Sequence, residues 1–171
     1  PQVGAGSIAR ASPAVLAAAG LSAAKIRTLK ALADATRGAK PALRIDRLAR
    51  ASDEDVRLAL MGVHGIGPWT ADIFVMFCLG RADAWASGDL ALQVGAARAF
   101  ALGERLSAAE TLALAERWRP WRAVAARLIW EDYANLRRQQ QGGTRSGATP
   151  RARGGAKRSR SSSRLPRSRM E

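Results

Sequence analysis

A carboxylate and a glycine-rich turn are the two features of the sequence with the residue types and spacing to carry chemistry. Asp89 follows Gly88 and opens an apolar stretch that begins at Leu90. A carboxylate at that place is expected to cap a helix, and the positive end of the helix dipole favours its ionised form. A fixed negative charge can also stabilise a developing positive charge and orient or deprotonate a water molecule. Both interpretations of Asp89, structural and catalytic, stay open at this point.

The second feature is the turn from Val63 to Gly67, in which two glycines flank Ile66. Gly65 and Gly67 are predicted to adopt backbone angles that are closed to other residues. Pro68 suits the first position of a following helix, where its missing N–H has no intrahelical partner in any case. Backbone N–H groups at a helix start with little side-chain bulk around them suit a phosphate. A plain helix-to-helix connection is the alternative.

Helical periodicity predicts the elements that position these two features, and the sequence contains no alternating strand pattern. Helices are predicted for residues 13–19, 22–36, 45–49, 52–61, from 68 onward, 90–100, 107–118 and 121–138. The first eleven residues show no periodicity. We therefore predict an all-α fold, with one domain over residues 1–138 and a disordered tail rich in Arg, Ser and Gly over residues 139–171.

Charge and composition limit the classes of partner. The 171 residues carry a formal net charge of +14, which points to a polyanion such as nucleic acid. The basic tail is expected either to bind phosphates irrespective of sequence or only to keep the chain in solution. No apolar run is long enough for a membrane span, and no signal peptide is recognised, so we expect a cytoplasmic, nucleoid-associated protein. The single cysteine, Cys78, excludes an internal disulfide, and its apolar helical surroundings predict that it is buried.

Three motifs in a fixed order carry a resemblance to a known family. G-I-G-P-W-T-A-D starts at Gly65, S-G-D-L-A-L contains Asp89, and E-R-W-R-P-W-R-A-V-A-A-R-L-I-W ends at Trp130. Together they resemble the helix-hairpin-helix, Gly/Pro-loop, Asp superfamily of DNA glycosylases, and within it the DNA-3-methyladenine glycosylase II type, over about residues 16–130. The resemblance implies an all-helical domain that excises alkylated purines, such as 3-methyladenine and 7-methylguanine, from double-stranded DNA. It also implies that Asp89 is the catalytic carboxylate and that the enzyme is a monomer.

The resemblance further implies an aromatic pocket for the flipped damaged base. Trp69 and Trp130 match aromatic positions that line this pocket, and Trp121 is expected either to form part of its wall or to anchor the start of a helix. A base must leave the stack before its glycosidic bond can be reached. An indole face attracts the positive charge of an alkylated purine by ~0.5–2 kcal/mol.

The hairpin is expected to bind the DNA strand next to the lesion. The phosphate-binding residues implied by the resemblance are His64, Gly65, Ile66, Gly67 and Thr70. Hairpins of this type can also hold a monovalent cation on backbone carbonyls. The carbonyls concerned are those of Met61, Val63 and Ile66.

Two absences within the resembling motifs narrow the expected chemistry. Trp69 stands where strand-cleaving members of the superfamily have a lysine that attacks the sugar, and an indole forms no Schiff base. The four cysteines of the members with an iron–sulfur cluster are also missing. We therefore expect a monofunctional hydrolase that uses water and has no cluster.

Members of the superfamily carry several helices before the region that corresponds to Leu16, and little of this fits between Pro1 and Val15. We expect the chain to be incomplete at its N-terminus and weakly active at best on its own. Two alternatives to an alkylpurine glycosylase stay open. One is a non-catalytic helix-hairpin-helix module that binds DNA, and the other is a related glycosylase for mismatched or oxidised bases.

Overall fold

A computed structural model describes residues 3–37 and 42–143 of the chain. Over these ranges the protein is all-α, as predicted, with no strand. The α-helices are α1 (Ala5–Arg10), α2 (Pro13–Ala18), α3 (Ala23–Ala35), α4 (Ile45–Leu48), α5 (Asp53–Met61), α6 (Pro68–Ile73), α7 (Leu90–Ala99), α8 (Ala108–Ala115) and α9 (Arg122–Gly143). A π-helical turn (Phe74–Cys78) continues α6, and a 3-10 turn (Glu116–Trp118) continues α8. Among the described helices, none combines the length and hydrophobicity needed to cross a membrane.

The C-terminal helix is longer than the periodicity predicts. Because α9 runs to Gly143, residues 139–143 are helical, although they were predicted to belong to the tail. The rest of the predicted tail, residues 144–171, lies outside the described residues.

Serine caps fix three of the helix starts where the sequence predicts them. The hydroxyls of Ser22, Ser52 and Ser107 accept the N–H of the third helical residue at 3.4, 3.1 and 3.2 Å, respectively. Each bond satisfies a backbone donor that has no partner within the helix, which is why such residues mark helix starts.

The N-terminal segment differs from the prediction, because residues 5–10 form α1 in a stretch without periodicity. Ser7 closes the first turn by accepting the Gly4 N–H at 2.9 Å. At the other end, the Lys30 ammonium donates to the carbonyl of Ala9 at 3.0 Å and to that of Ala11. A side chain of α3 thus caps α1 from more than twenty residues away, which a local pattern cannot reveal.

Small residues allow α7 and α9 to pack closely in the core. A Cβ at Gly95 would lie 2.8 Å from the Ile129 Cγ2, so any larger side chain would push α9 away from α7. Ala96 and Leu92 are fully buried in the same interface region. This close approach brings the N-terminal half of α9, which contains Ile129 and Trp130, next to α7.

The hairpin between α5 and α6 depends on one of its two glycines. Gly65 has a φ of +83°, and a Cβ at this position would overlap the Thr28 side chain of α3. Gly67 has a φ of −99° and a ψ of 176°, an extended conformation open to any residue, so the prediction of unusual backbone angles is wrong there. A Cβ at Gly67 would meet no atom within 4 Å.

The π-helical turn changes the direction of the side chains that follow α6. The Leu79 N–H donates to the Phe74 carbonyl at 3.1 Å, five residues back. Val75 and Met76 are buried, whereas Phe77 is 49% exposed. Cys78 is also exposed, so its predicted burial is wrong. The pattern of apolar residues suggested a regular helix, and the wider turn rotates residues 77 and 78 out of the core.

The two hairpin glycines provide a matched test of this description. We expect Gly65→Ala to destabilise the fold by at least about 2 kcal/mol, because it combines a strained φ with an overlap at Thr28. Gly67→Ala should change the free energy of unfolding by no more than about 1 kcal/mol. Urea unfolding of both variants checks this expectation, and equal effects of the two substitutions would contradict it.

Candidate active site

The Asp89 carboxylate receives three N–H donors from three different helices. The Oδ1 accepts the backbone N–H of Leu92 at 2.9 Å, which makes Asp89 the N-cap of α7. The same oxygen accepts the indole N–H of Trp130 at 2.9 Å, and the Oδ2 accepts that of Trp69 at 2.8 Å. Two of the three predicted pocket tryptophans therefore meet the predicted carboxylate. They do so through their N–H groups, which the sequence did not indicate.

Polar side chains that the sequence analysis missed support the loop before Asp89. The carbonyl of Ser87 accepts the Gln93 side-chain amide at 3.0 Å. This donor is buried, with 4% of Gln93 exposed. Arg105 in turn donates to the Gln93 side-chain oxygen at 2.8 Å. The signal in the sequence for this support was a glutamine within the apolar stretch that begins at Leu90.

The two tryptophans reach Asp89 from two different helices. Trp69 lies in the first turn of α6, directly after the hairpin, and its side chain is 49% exposed. Trp130 lies on α9 and is half-buried. The ring of Phe77 stacks on Trp130 with 5.7 Å between centroids and 27° between planes. The Arg127 guanidinium lies 4.9 Å from the centroid of the Phe77 ring.

An ion-pair cluster joins the loop before Asp89 to the start of α9. Asp83 accepts from Arg122 at 2.8 Å and from Arg119 at 3.0 Å, and the Ala123 N–H donates to the Ala82 carbonyl at 2.9 Å. Burial raises the pKa of Asp83, but the two guanidiniums outweigh it and hold the pKa below its usual range. Asp83, the other carboxylate of the loop before Asp89, is therefore engaged in structural contacts.

Asp72 has a structural role. It is 7% exposed and accepts from the Arg57 Nε at 2.6 Å, which ties α6 to α5. Burial raises the pKa of this carboxyl, and the hydrogen bond and charge of Arg57 offset that effect only in part.

The remaining tryptophans lie away from the carboxylate. Trp85 is buried and packs against Trp118 with 5.7 Å between ring centroids, which is a packing role for both. Trp121 is 61% exposed just before α9 begins. It precedes Trp130 by nine residues, or about 13 Å along a helix. The structure thus does not bring Trp121 to the Asp89 cluster.

The predicted phosphate-binding residues form one accessible turn. His64, Gly65 and Thr70 are exposed, while Ile66 and Gly67 are half-buried. Gly67 is the N-cap of α6 and has no side chain to occupy the first-turn N–H groups, which have no helical carbonyl before them. They are therefore open to a ligand oxygen.

The predicted cation ligands are backbone atoms of the same hairpin. The Val63 carbonyl accepts the Ile66 N–H at 3.1 Å, and a carbonyl oxygen keeps a second lone pair for an ion. The carbonyls of Met61 and Ile66 complete the predicted set. The cation stays a prediction. Over the described ranges, no group of three or more His, Cys, Asp or Glu side chains is placed to hold a metal ion.

Comparison with known proteins finds relatives that are named as DNA-3-methyladenine glycosylases. No protein-family model matches the chain. A Bacillus subtilis protein with the provisional name of DNA-3-methyladenine glycosylase is 33% identical over 92 residues, which cover 54% of this chain and 32% of the relative. DNA-3-methyladenine glycosylase 1 of Schizosaccharomyces pombe is 31% identical over 118 residues, or 68% of this chain and 51% of the relative. The chain thus spans about a third to a half of these relatives.

A solved structure extends the likeness from sequence to fold. The S. pombe 3-methyladenine DNA glycosylase Mag1, solved in complex with abasic DNA, aligns with a TM-score of 0.65 and 28% identity, over 74% of this chain and 61% of that chain. The chain is similar in sequence and in fold to DNA-3-methyladenine glycosylases, and this similarity supports the helix-hairpin-helix DNA glycosylase superfamily. The turn between α5 and α6 and Asp89 stand where the sequence resemblance places the hairpin and the aspartate of the superfamily, and this correspondence stays a prediction.

The Asp83 cluster can be tested for its contribution to stability. We expect Asp83→Asn to lower the free energy of unfolding by about 1 kcal/mol at pH 7, because the ionised carboxylate is bound by two arginines. Since the folded pKa lies below the ordinary value of 3.8, this contribution is present above pH 3.8 and is lost as the pH falls through the folded pKa.

Urea unfolding of the parent and Asp83→Asn from pH 7 down to pH 2.5 measures the difference. The two curves should converge at the acid end. A difference that does not depend on pH would show that the charge of Asp83 is not what stabilises the loop.

Proposed function

We propose that this chain carries the catalytic region of a DNA glycosylase that hydrolyses the N-glycosidic bond of alkylated purines in double-stranded DNA. The observation that supports the proposal is the Asp89 carboxylate, fixed by two indole N–H groups and a helix N-terminus beside the hairpin. Substrates of this class are 3-methyladenine and 7-methylguanine, whose positive charge weakens the bond to the sugar.

The hydrogen bonds on Asp89 leave one position for the reaction. A carboxylate has about four lone-pair sites. Two donors occupy the Oδ1 and one occupies the Oδ2, so the free site lies on the Oδ2. The carboxylate therefore has a fixed direction and an available acceptor, as required of a group that faces a sugar or a water molecule.

This geometry supports the following reaction. As the glycosidic bond breaks, its electron pair goes to the cationic purine, which leaves as a neutral base. The positive charge that develops on the deoxyribose is stabilised by the negative charge of Asp89. Water then adds to the anomeric carbon, and its proton passes to the carboxylate or to solvent. The products are a free base and an abasic site.

The hairpin is the part of the chain proposed to bind DNA. Its exposed turn and the free first-turn amides of α6 suit a phosphate, and the net charge of +14 favours a polyanion. Binding of the strand there would bring a flipped nucleotide to Trp69, whose ring is half exposed. A monovalent cation on the hairpin carbonyls would add positive charge at the phosphate. Mag1, which aligns over most of this chain, was solved with abasic DNA.

We expect Asp89→Asn to reduce the release of alkylated base at least about 100-fold, because the charge that stabilises the sugar cation is lost. Asparagine also caps helices well, so the fold should persist. The measurement is release of 3-methyladenine and 7-methylguanine from methylated duplex DNA by the 171-residue chain and by a chain extended upstream. The exposed Asp132→Asn on α9 is the matched control and should retain the parental rate.

Other outcomes would favour the alternative functions. Equal base release by the parent and Asp89→Asn would remove the catalytic role of Asp89. DNA binding without release of any base, in both chain lengths, would favour the non-catalytic DNA-binding module. Release only from mismatched or oxidised duplexes would favour the related glycosylase.

We also expect hydrolysis without strand cleavage. Trp69 cannot form a Schiff base, and the Lys30 ammonium is bound to two backbone carbonyls of the α1 region. Incubation with substrate DNA and borohydride should therefore give no covalent protein–DNA adduct, and strand breaks should appear only after hot alkali. A trapped adduct would contradict the proposed use of water.

A further inference from the structure

The Trp130 side chain is held at two places. Its N–H donates to the Asp89 carboxylate at 2.9 Å. One face of its ring stacks on Phe77, with 5.7 Å between the ring centroids. Phe77 is itself in contact with Arg127, which lies three residues before Trp130 on the same helix. An arginine, a phenyl ring and an indole thus form a continuous series that ends at the carboxylate.

Core packing does not explain the place of Phe77. The ring is 49% exposed, while its neighbours Val75 and Met76 are 0% and 1% exposed. The π-helical turn produces this difference, since a regular α-helix turns by about 100° per residue and would direct position 77 elsewhere. Such turns are rare and occur frequently at functional sites. Here the turn presents an aromatic ring to Trp130.

The indole hydrogen bond depends on the orientation of the ring. An N–H group in a ring plane has one direction, and a hydrogen bond weakens steeply when the donor angle falls below about 120°. Trp130 is only half-buried, so the surrounding core does not fix its ring on all sides. Phe77 restricts the ring on the side where the stack forms, and the Arg127 guanidinium restricts Phe77 in turn.

We propose that Phe77 is a positioning residue, which fixes the Trp130 indole so that its N–H holds the Asp89 carboxylate in its reactive orientation. The role in the reaction rests on the proposed glycosylase function. The role in orienting Trp130 does not, and it can be measured without substrate. Phe77 itself touches neither the carboxylate nor the reacting atoms.

The first experiment reads the Trp130 N–H directly. The chain has five tryptophans, so a ¹H–¹⁵N spectrum of the 171-residue chain contains five indole signals, and Trp130→Phe identifies the signal of Trp130. We expect Phe77→Leu to make this N–H exchange with solvent about 3- to 10-fold faster, because the stacking partner is lost. Phe77→Tyr keeps the ring and should restore parental exchange.

A second Phe–Trp pair provides a matched control. Phe100 packs against Trp118 at 5.6 Å with 35° between planes, and its side chain is 42% exposed. Phe100→Leu therefore removes a contact of the same kind away from Asp89. It should shift the Trp118 signal and leave the exchange of the Trp130 N–H unchanged.

The kinetic arm uses base release from methylated duplex DNA. Phe77→Leu should lower kcat about 3- to 10-fold with little change in KM, Phe77→Tyr should restore kcat, and Phe100→Leu should have the parental rate. Unchanged Trp130 exchange in Phe77→Leu, or an equal effect of Phe100→Leu, would overturn the positioning role. Faster exchange with parental kcat would overturn its link to Asp89. Failure of the parent to release base in both chain lengths would count against the proposed function, while the exchange measurement would still decide the orientation of Trp130.

Discussion

One carboxylate that accepts hydrogen bonds from three helices is the constraint on which the rest of the structure depends. Asp89 is bound by the first turn of α7, by Trp69 of α6 and by Trp130 of α9. A hydrogen bond tolerates only a few tenths of an ångström and a limited range of angles. The three helices must therefore keep relative positions in which all of these donors reach one side chain.

Separate contacts place each of the three helices. The hairpin places α6, and it depends on Gly65 at the point where it meets α3. Gly95 allows α9 to approach α7. The Asp83 cluster joins the loop before Asp89 to the start of α9, and Gln93 supports that loop from inside the core. These contacts join residues distant in sequence, and each acts on a different part of the frame around the carboxylate.

The parts that the sequence predicted are those determined by local chemistry. Ser22 and Ser52 mark helix starts because each hydroxyl accepts a backbone N–H three residues further on, which is a local interaction. Asp89 was identified because a recognisable motif contains it. Helix α1 was missed because Lys30, which caps it, lies on another helix. The N–H role of Trp69 was missed for a related reason, since sequence spacing predicts which residues are neighbours but not which atom of a side chain makes the contact.

The pattern of apolar residues also could not predict deviations from regular backbone geometry. Periodicity assumed one helix from Pro68 through Cys78, and it assigned Cys78 to the core. The extra residue of the π-helical turn cannot be read from that pattern, because the spacing of apolar residues was interpreted with regular α-helical geometry. Gly67 was given an unusual conformation by analogy with Gly65, although only the latter meets another helix.

In the π-helical turn, more regular hydrogen bonding and the placement of the aromatic series require opposite changes of the sequence. The hydrogen bonding of this turn is poorer than that of an α-helix, and the chain would gain regularity by losing a single residue between Phe74 and Cys78. Such a shortening would turn everything beyond it by about a quarter of a circle relative to α6. Engineering for thermal robustness would thus favour a change that separates the aromatic series from the carboxylate, so this segment has to be excluded from any search for stabilising deletions.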